Sequence, residues 1–331
     1  MKRVISEKGY ILEDKIGQGG FSEVYKISNS DNKLFALKVV EKSVLANLEY
    51  NFLKRLKNCK GIPKVYDFLV SNRANAIVMD YFEISIFDYF RNNPSFLTIF
   101  KFAIDGLKII KRIHRRKIIH NDIKPNQFLY TKSNTLHLID FGLSSKFIRK
   151  NKHISFKSNK IIEGSSTFAS LNCHKGLTLS RRDDLTSFAY TLIYMALGSL
   201  PWFHISNKSP KEKWLAVEKY KLRISSEHLC EGLPKEFCQF LDYSQSLAFD
   251  EKPDYKYIIS IFSKHYYMHK NETRRSSRKI GFCIVKSERK NQENEISQKR
   301  YSNKLLSYED LDKTEKVTPP EFLCSSAYYT K

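Results

Sequence analysis

Two aspartates and two lysines have the residue types and spacing needed to handle a charged, transferable group. Asp122 and Asp140 lie 18 residues apart in the stretch IIHNDIKPNQFLYTKSNTLHLIDFG, residues 118–142. Each follows a short apolar run, Ile118-Ile119 or Leu136 to Ile139. The turn-like TKSN between alternating apolar residues predicts a hairpin that returns the chain to its start. In that arrangement one carboxylate can accept a proton while the other holds a metal ion. Lys124 would add positive charge beside an anionic reacting group. Taken alone, the D-F-G reads rather as a buried hairpin with surface acids, and its pairing with Asp122 and with features far upstream reverses that reading.

The elements that would position these groups lie on both sides. Upstream, strand-like runs at Tyr10 to Ile16 and Val24 to Ile27 flank GQGGFSE, and Leu34 to Val40 follows the polar turn SNSDNK. Gly17, Gly19 and Gly20 let backbone approach a phosphate closely, although such a turn also serves as a plain hairpin. Lys38 ends an apolar strand, where an unpaired ammonium would be costly. Its candidate partner is Glu49, on a helix read over 43–57 from Leu45, Leu48, Phe52, Leu53 and Leu56. The alternative for Glu49 is a solvated surface carboxylate. Val65 to Val70 and Ala76 to Tyr81 read as two more strands, and a helical segment follows from Ser85.

Downstream, residues 96–117 read as a helix ending in the basic run KRIHRRK. The Lys-rich loop from Phe141 to Ser165 is too long for a simple connection. Leu185 to Phe203 is apolar enough to raise a membrane span, but Thr186, Ser187, Gly198, Pro201 and its Arg-Arg-Asp-Asp start favour a buried core helix. Asp184 can accept backbone hydrogen bonds from the stretch around Asp122, while Asp183 or Asp184 can equally cap the helix.

The 331 residues allow one large or two ordinary domains, and 41% hydrophobic content fits a folded protein. The net charge is +22; residues 269–331 hold 14 Lys and Arg against 9 Asp and Glu, which leaves +17 on residues 1–268. Such a field draws acidic protein segments, phosphates, nucleic acid or anionic membrane without choosing among them. No nucleic-acid reading element accompanies it. Six cysteines without a C-x-x-C pair fit reduced thiols in an intracellular setting, cytoplasmic or nuclear, and the N-terminus lacks the apolar core of a signal peptide. From residue 268 Ser, Lys, Glu and Asn dominate, predicting a disordered or weakly helical tail over 268–331.

Together GSSTFASLN, SRRDDL, LGSLPW and FDEKPDY resemble the casein kinase 1 branch of the protein kinases, in the right order over residues 8–267. The resemblance implies an α+β, two-lobed kinase fold, with a small β-rich N-terminal lobe over 8–80 and a larger helical lobe over 84–267. It implies ATP and Mg2+ as cofactors, Ser or Thr of acidic or phosphorylated proteins as acceptors, a monomer, and no specific nucleic acid. By matching position, Asp122 would be the catalytic base and Lys124 would neutralise the migrating phosphoryl group. Asp140 with Gln127 would bind the metal, and Lys38 with Glu49 would anchor phosphates. The nucleotide would be covered by Ile16, Gly17, Gln18, Gly19, Gly20, Phe21, Ser22, Glu23 and Val24. Ala36, Met79, Asp80, Phe82, Leu129 and Ile139 would complete its pocket, Phe82 through hinge backbone and Leu129 beneath the adenine.

Three positions depart from the family pattern. H-R-D is His120-Asn121-Asp122, which argues against activation by loop phosphorylation. Gln127 replaces a metal-binding asparagine, keeping the amide oxygen on a longer arm. Thr167 replaces an arginine that binds phosphate on primed substrates, leaving Arg181, Arg182 and Lys219 as candidate anion contacts. Gln127 and Asn121 also support an alternative: a pseudokinase that binds nucleotide or partners without turnover.

Overall fold

The computed structural model describes residues 2–279, apart from Phe21, Lys42, Asn93, Pro94, Asn159, Ile162 and 206–208. The N-terminal part opens with α1 (Lys2–Glu7), β1 (Tyr10–Gln18), β2 (Ser22–Asn29), β3 (Leu34–Val40) and α2 (Ser43–Arg55). It continues with β4 (Val65–Val70) and β5 (Asn75–Asp80). The five strands form one antiparallel sheet in the order β1-β2-β3-β5-β4.

Alternation along β3 divides the sheet into two faces. Phe35 and Leu37 face a small core with Ile5, Ile27 and Val78. Val24, Lys38 and Ile77 lie opposite one another across β2, β3 and β5, as do Lys26, Ala36 and Met79, so Val24, Ala36 and Lys38 share the other face. Against that face packs α2, whose Phe52, Leu53 and Leu56 join Ile77 and Met79 in the main core. The register therefore decides which side of the sheet Lys38 serves.

The chain then crosses through β6 (Ile84–Ser85), α3 (Ile86–Asn92) and α4 (Phe96–Arg115) to β7 (Ile118–Ile119). The expected hairpin is present as β8 (Phe128–Tyr130) paired antiparallel with β9 (Leu136–Leu138), with β6 on its edge. The segment from Phe141 to Ser165, read from sequence as one long loop, carries structure of its own. In it β10 (Ser145–Lys146) pairs with β7, and β11 (Ile148–Arg149) pairs with β12 (Lys152–His153). Farther on, the Lys160 amide donates to the Gly176 carbonyl at 2.8 Å.

Helices α5 (Leu171–His174), α6 (Arg181–Leu197), α7 (Pro210–Arg223), α8 (Ser226–Leu229), α9 (Lys235–Ser246) and α10 (Tyr255–Lys279) complete the larger part. In α6 every residue from Asp183 to Ile193 is buried, because α4 and α9 cover it. Among the described residues no helix is long and apolar enough to cross a membrane. The final helix runs through Lys279, past the boundary expected at 267, and residues 280–331 of the tail lie outside the described residues. The architecture, a β-sheet region followed by a helical region, is the expected α+β fold.

Candidate active site

Four elements meet where the sheet faces the helical part. From β3, Lys38 reaches Glu49 of α2 at 2.7 Å and Asp140 at 2.6 Å. Lys38 and Glu49 are buried, whereas the Asp140 side chain keeps 23% exposure. The ammonium thus lies between two carboxylates, an arrangement that offsets the cost of burying all three charges. Burial alone would raise the Asp140 carboxyl, but Lys38, with Lys124 and His120, outweighs it and holds the group down at about 2. Burial pushes Glu49 up, against the pull of Lys38.

The loop between β7 and β8 supplies the remaining groups. Lys124 Nζ donates to Asp122 Oδ2 at 2.7 Å and to Ser165 Oγ at 2.8 Å. Gln127 Nε2 lies 3.3 Å from both Asp122 Oδ2 and Asp140 Oδ2, so one amide bridges the two carboxylates. Two backbone positions in this region are left-handed, Asn121 at φ 69° and Asp140 at φ 63°. Asn and Asp tolerate that region better than most residues, and such conformations concentrate at functional sites. Gly164 closes the other side with φ +101°, and a Cβ there would lie 3.2 Å from Asp122 Oδ1. The glycine leaves space in front of that oxygen.

Above the carboxylates, Val24, Phe82, Leu129 and Ile139 form a cluster of their own, flanked by Ile16 and Ala36 and separate from the main core. These six residues come from three sheet strands, the crossing segment and the β8–β9 hairpin. Met79 belongs to the main core behind this cluster. In the glycine turn, a Cβ on Gly19 would meet Ser22 Oγ at 2.7 Å. Gly17 lies near the end of β1 and Ser22 begins β2, on either side of Gly19 and Gly20, and Phe21 lies outside the described residues.

Over residues 10–243, more than half of the chain, the sequence matches the family model of the protein kinase domain. The chain belongs to the protein kinase family. Kinases of this family use ATP and Mg2+ in general, and the residues present fit both. Gln127 Oε1 is buried without a hydrogen-bond partner. The Asp122 and Asp140 carboxylates are oxygen donors of the kind that suit a hard dication, and Gln127 would add its oxygen only after an amide flip, since its nitrogen faces them here.

Three expected nucleotide contacts of the kinase are engaged elsewhere through their side chains. Gln18 and Glu23 accept from Lys15 at 3.0 and 2.6 Å, and Tyr25 also donates to Glu23. Asp80 accepts from the Lys64 amide at 2.7 Å and from the Tyr66 hydroxyl at 2.8 Å. Arg181 and Arg182, expected as anion contacts, donate to main-chain carbonyls in the structure. Arg181 donates to the Asp250 carbonyl at 2.5 Å and stacks over Phe147; Arg182 donates to the Leu247 carbonyl at 3.0 Å. These arginines fasten the loop after α9, because unpaired carbonyls there would otherwise be left in a partly buried seam. Lys219 is exposed on α7.

The two acids at the start of α6 divide their tasks. Asp183 accepts from the Ser180 amide at 2.7 Å, from Ser170 Oγ at 2.7 Å and from Asn172 Nδ2 at 2.9 Å. Asp184 accepts from the amides of His120 at 2.8 Å and Asn121 at 2.9 Å, the loop that carries Asp122. Sequence reasoning missed what lies behind Asp184. His114 holds it through Nε2 at 2.8 Å, and His114 Nδ1 meets the Tyr255 hydroxyl at 2.5 Å. A signal existed: Leu107, Ile110 and His114 share one helical face of α4, although the basic residues around His114 obscure it. Ser165 was also missed, and local pattern gives no sign of its bond to Lys124.

Proposed function

We propose that the chain is a catalytically active Ser/Thr protein kinase of casein kinase 1 type that phosphorylates acidic protein segments. The observation that carries this reading is the double engagement of Lys38, with Glu49 on one side and Asp140 on the other, while Gln127 joins Asp140 to Asp122. Phosphoryl transfer rests on positioning and charge stabilisation, and this arrangement supplies both.

In this reading Asp122 accepts the proton of the acceptor hydroxyl, which enters over Gly164. Lys124, already bonded to Asp122, supplies positive charge to the transferring group. Lys38 anchors phosphate oxygens, and the apolar slot of Val24, Phe82, Leu129 and Ile139 takes the adenine. Asp140 and Gln127 would hold Mg2+, which neutralises phosphate charge when bound. The bond from Lys124 to Ser165 brings the segment that follows Gly164 close against the base. For acceptor choice, Lys146, Arg149, Lys150, Lys152, Lys157, Lys160 and Lys175 are all exposed on the segment from residue 141 to 175, an electropositive border that attracts acidic chains. Thr167 is buried with its carbonyl on Trp202, so nothing at that position favours primed acceptors.

The test is phosphate transfer from Mg-ATP to casein and to acidic and basic peptides. Wild type labels Ser and Thr of the acidic acceptors, and Asp122→Asn is slower by about 10²–10⁴-fold, the usual contribution of a positioned base. Transfer by wild type no faster than by Asp122→Asn or Lys38→Met refutes catalysis. One observation favours the second reading, a nucleotide- or partner-binding pseudokinase: Gln127 turns its nitrogen, not its oxygen, toward the carboxylates.

A further inference from the structure

Helix α7 buries Trp214, Val217 and Lys221, so one of its lysines lies on the inward face. Lys211, Lys213 and Lys219 are exposed or half-exposed, whereas Lys221 is 4% exposed. An ammonium has three N–H donors, and leaving them unpaired in the interior would be costly. Lys221 Nζ donates to two carbonyls in one short stretch of chain, Ser166 at 2.8 Å and Ala169 at 2.6 Å, and lies 3.3 Å from His174 Nε2, which is itself 3.2 Å from the Ser166 carbonyl. The rings of Tyr190 and Trp202 lie 4.7 and 5.1 Å from the same nitrogen, giving it two aromatic faces. No carboxylate of the described residues makes a salt bridge to it.

We infer that Lys221 is a positioning residue for the acceptor: its buried ammonium fixes the turn at 166–174 so that Ser165 closes on Lys124 beside Asp122. The inference rests on the kinase reading above, and deepens it by naming what holds the acceptor-binding wall. The geometry of the turn supports it. The amides of Phe168 and Ala169 both use the Ser165 carbonyl, at 3.0 Å each, which points the next carbonyls inward to Lys221. Ser165, at the start of this turn, carries the hydroxyl bonded to Lys124. Trp202 Nε1 adds a bond to the Thr167 carbonyl at 2.8 Å, and Asp183 holds Ser170 and Asn172. Of these clamps, Lys221 is the one that reaches the carbonyls of Ser166 and Ala169 directly, and so couples the wall to α7. Burial pushes the Lys221 ammonium well below its ordinary value.

The experiment compares the full chain with Lys221→Met, which keeps the length and removes the donors, and Lys221→Gln, which keeps two N–H groups. Three quantities are read: kcat/KM for an acidic peptide, affinity for a fluorescent ATP analogue, and amide hydrogen exchange over 165–176. In Lys221→Met the peptide kcat/KM falls at least about tenfold while nucleotide affinity stays within about twofold, and Lys221→Gln recovers part of the loss. Exchange quickens over 165–176 and not over β3 or α2. Equal losses of peptide turnover and nucleotide affinity, unchanged turnover, or unfolding of both variants overturns the proposal. A wild-type chain without transfer sinks the kinase reading; exchange over 165–176 then still decides the role of Lys221.

Discussion

His114 Nε2 lies 2.8 Å from Asp184 Oδ2, joining two side chains that are nearly inaccessible and 70 residues apart. Asp184 uses the same oxygen for the His120 amide and its other oxygen for the Asn121 amide. The loop bearing Asp122 is therefore aimed by a carboxylate on α6, a histidine on α4 and, through Tyr255, the first turn of α10.

Removing the histidine leaves Asp184 short of one partner in the interior. His114→Phe is expected to lower stability by about 1–3 kcal/mol, the range for a buried group left unsatisfied. Tyr255→Phe, which removes only the hydroxyl, costs about 1 kcal/mol. Urea denaturation measures both, and kcat falls with His114→Phe because the Asp122 loop loses its support. Wild-type stability in His114→Phe would falsify the network as a structural device.

Gln127 separates an enzyme that accepts glutamine from a scaffold that cannot turn over. Its side chain already spans Asp122 and Asp140, so the added methylene has not broken the connection. Gln127→Asn is accordingly expected to change kcat by less than about tenfold, or ~1.4 kcal/mol of barrier. Steady-state phosphorylation of an acidic peptide at saturating Mg-ATP measures it. A large gain from a near-zero wild-type baseline would instead establish the pseudokinase.

His174 gives the fold an acid-sensitive point. Burial and then the neighbouring Lys221 push its imidazole well below the ordinary 6.5. The unfolded chain therefore binds a proton near pH 6.5 that the folded chain refuses. The stability linked to this group is complete above pH 6.5 and is lost as pH falls, by up to about 1.36 kcal/mol per pH unit. Glu49, whose carboxyl is raised, works in the opposite sense, but it is common to wild type and variant. Denaturation midpoints from pH 7.5 to 5 should fall more steeply for wild type than for His174→Gln. Parallel curves exclude the histidine as the source.

Much of the fold was legible because alternation and helical spacing are local properties. The β3 pattern, the hairpin after Gln127 and the apolar run of α6 each follow from residues a few positions apart. The segment between Phe141 and Ser165 was not legible. Its strands are two residues long, too short for a period to register, and β10 pairs with β7 some 26 residues upstream. The partners of Arg181 and Arg182 were not legible for a related reason. Arg181 and Arg182 carry the right charge, but their guanidinium groups meet carbonyls 69 and 65 residues away, which no local pattern announces.

The sequence by itself determined the inventory and its order: glycine turn, Lys38, Glu49, Asp122, Lys124, Gln127 and Asp140, each on an element whose type its neighbours dictate. Tertiary structure decided which of the many charged groups turn inward. It buried Lys221 but left Lys219 on the surface two residues away, and it gave Asp184 to the Asp122 loop and Asp183 to the helix start. The physical reason is that burying a charge depends on finding partners, and those partners come from chain segments that only packing brings within 3 Å.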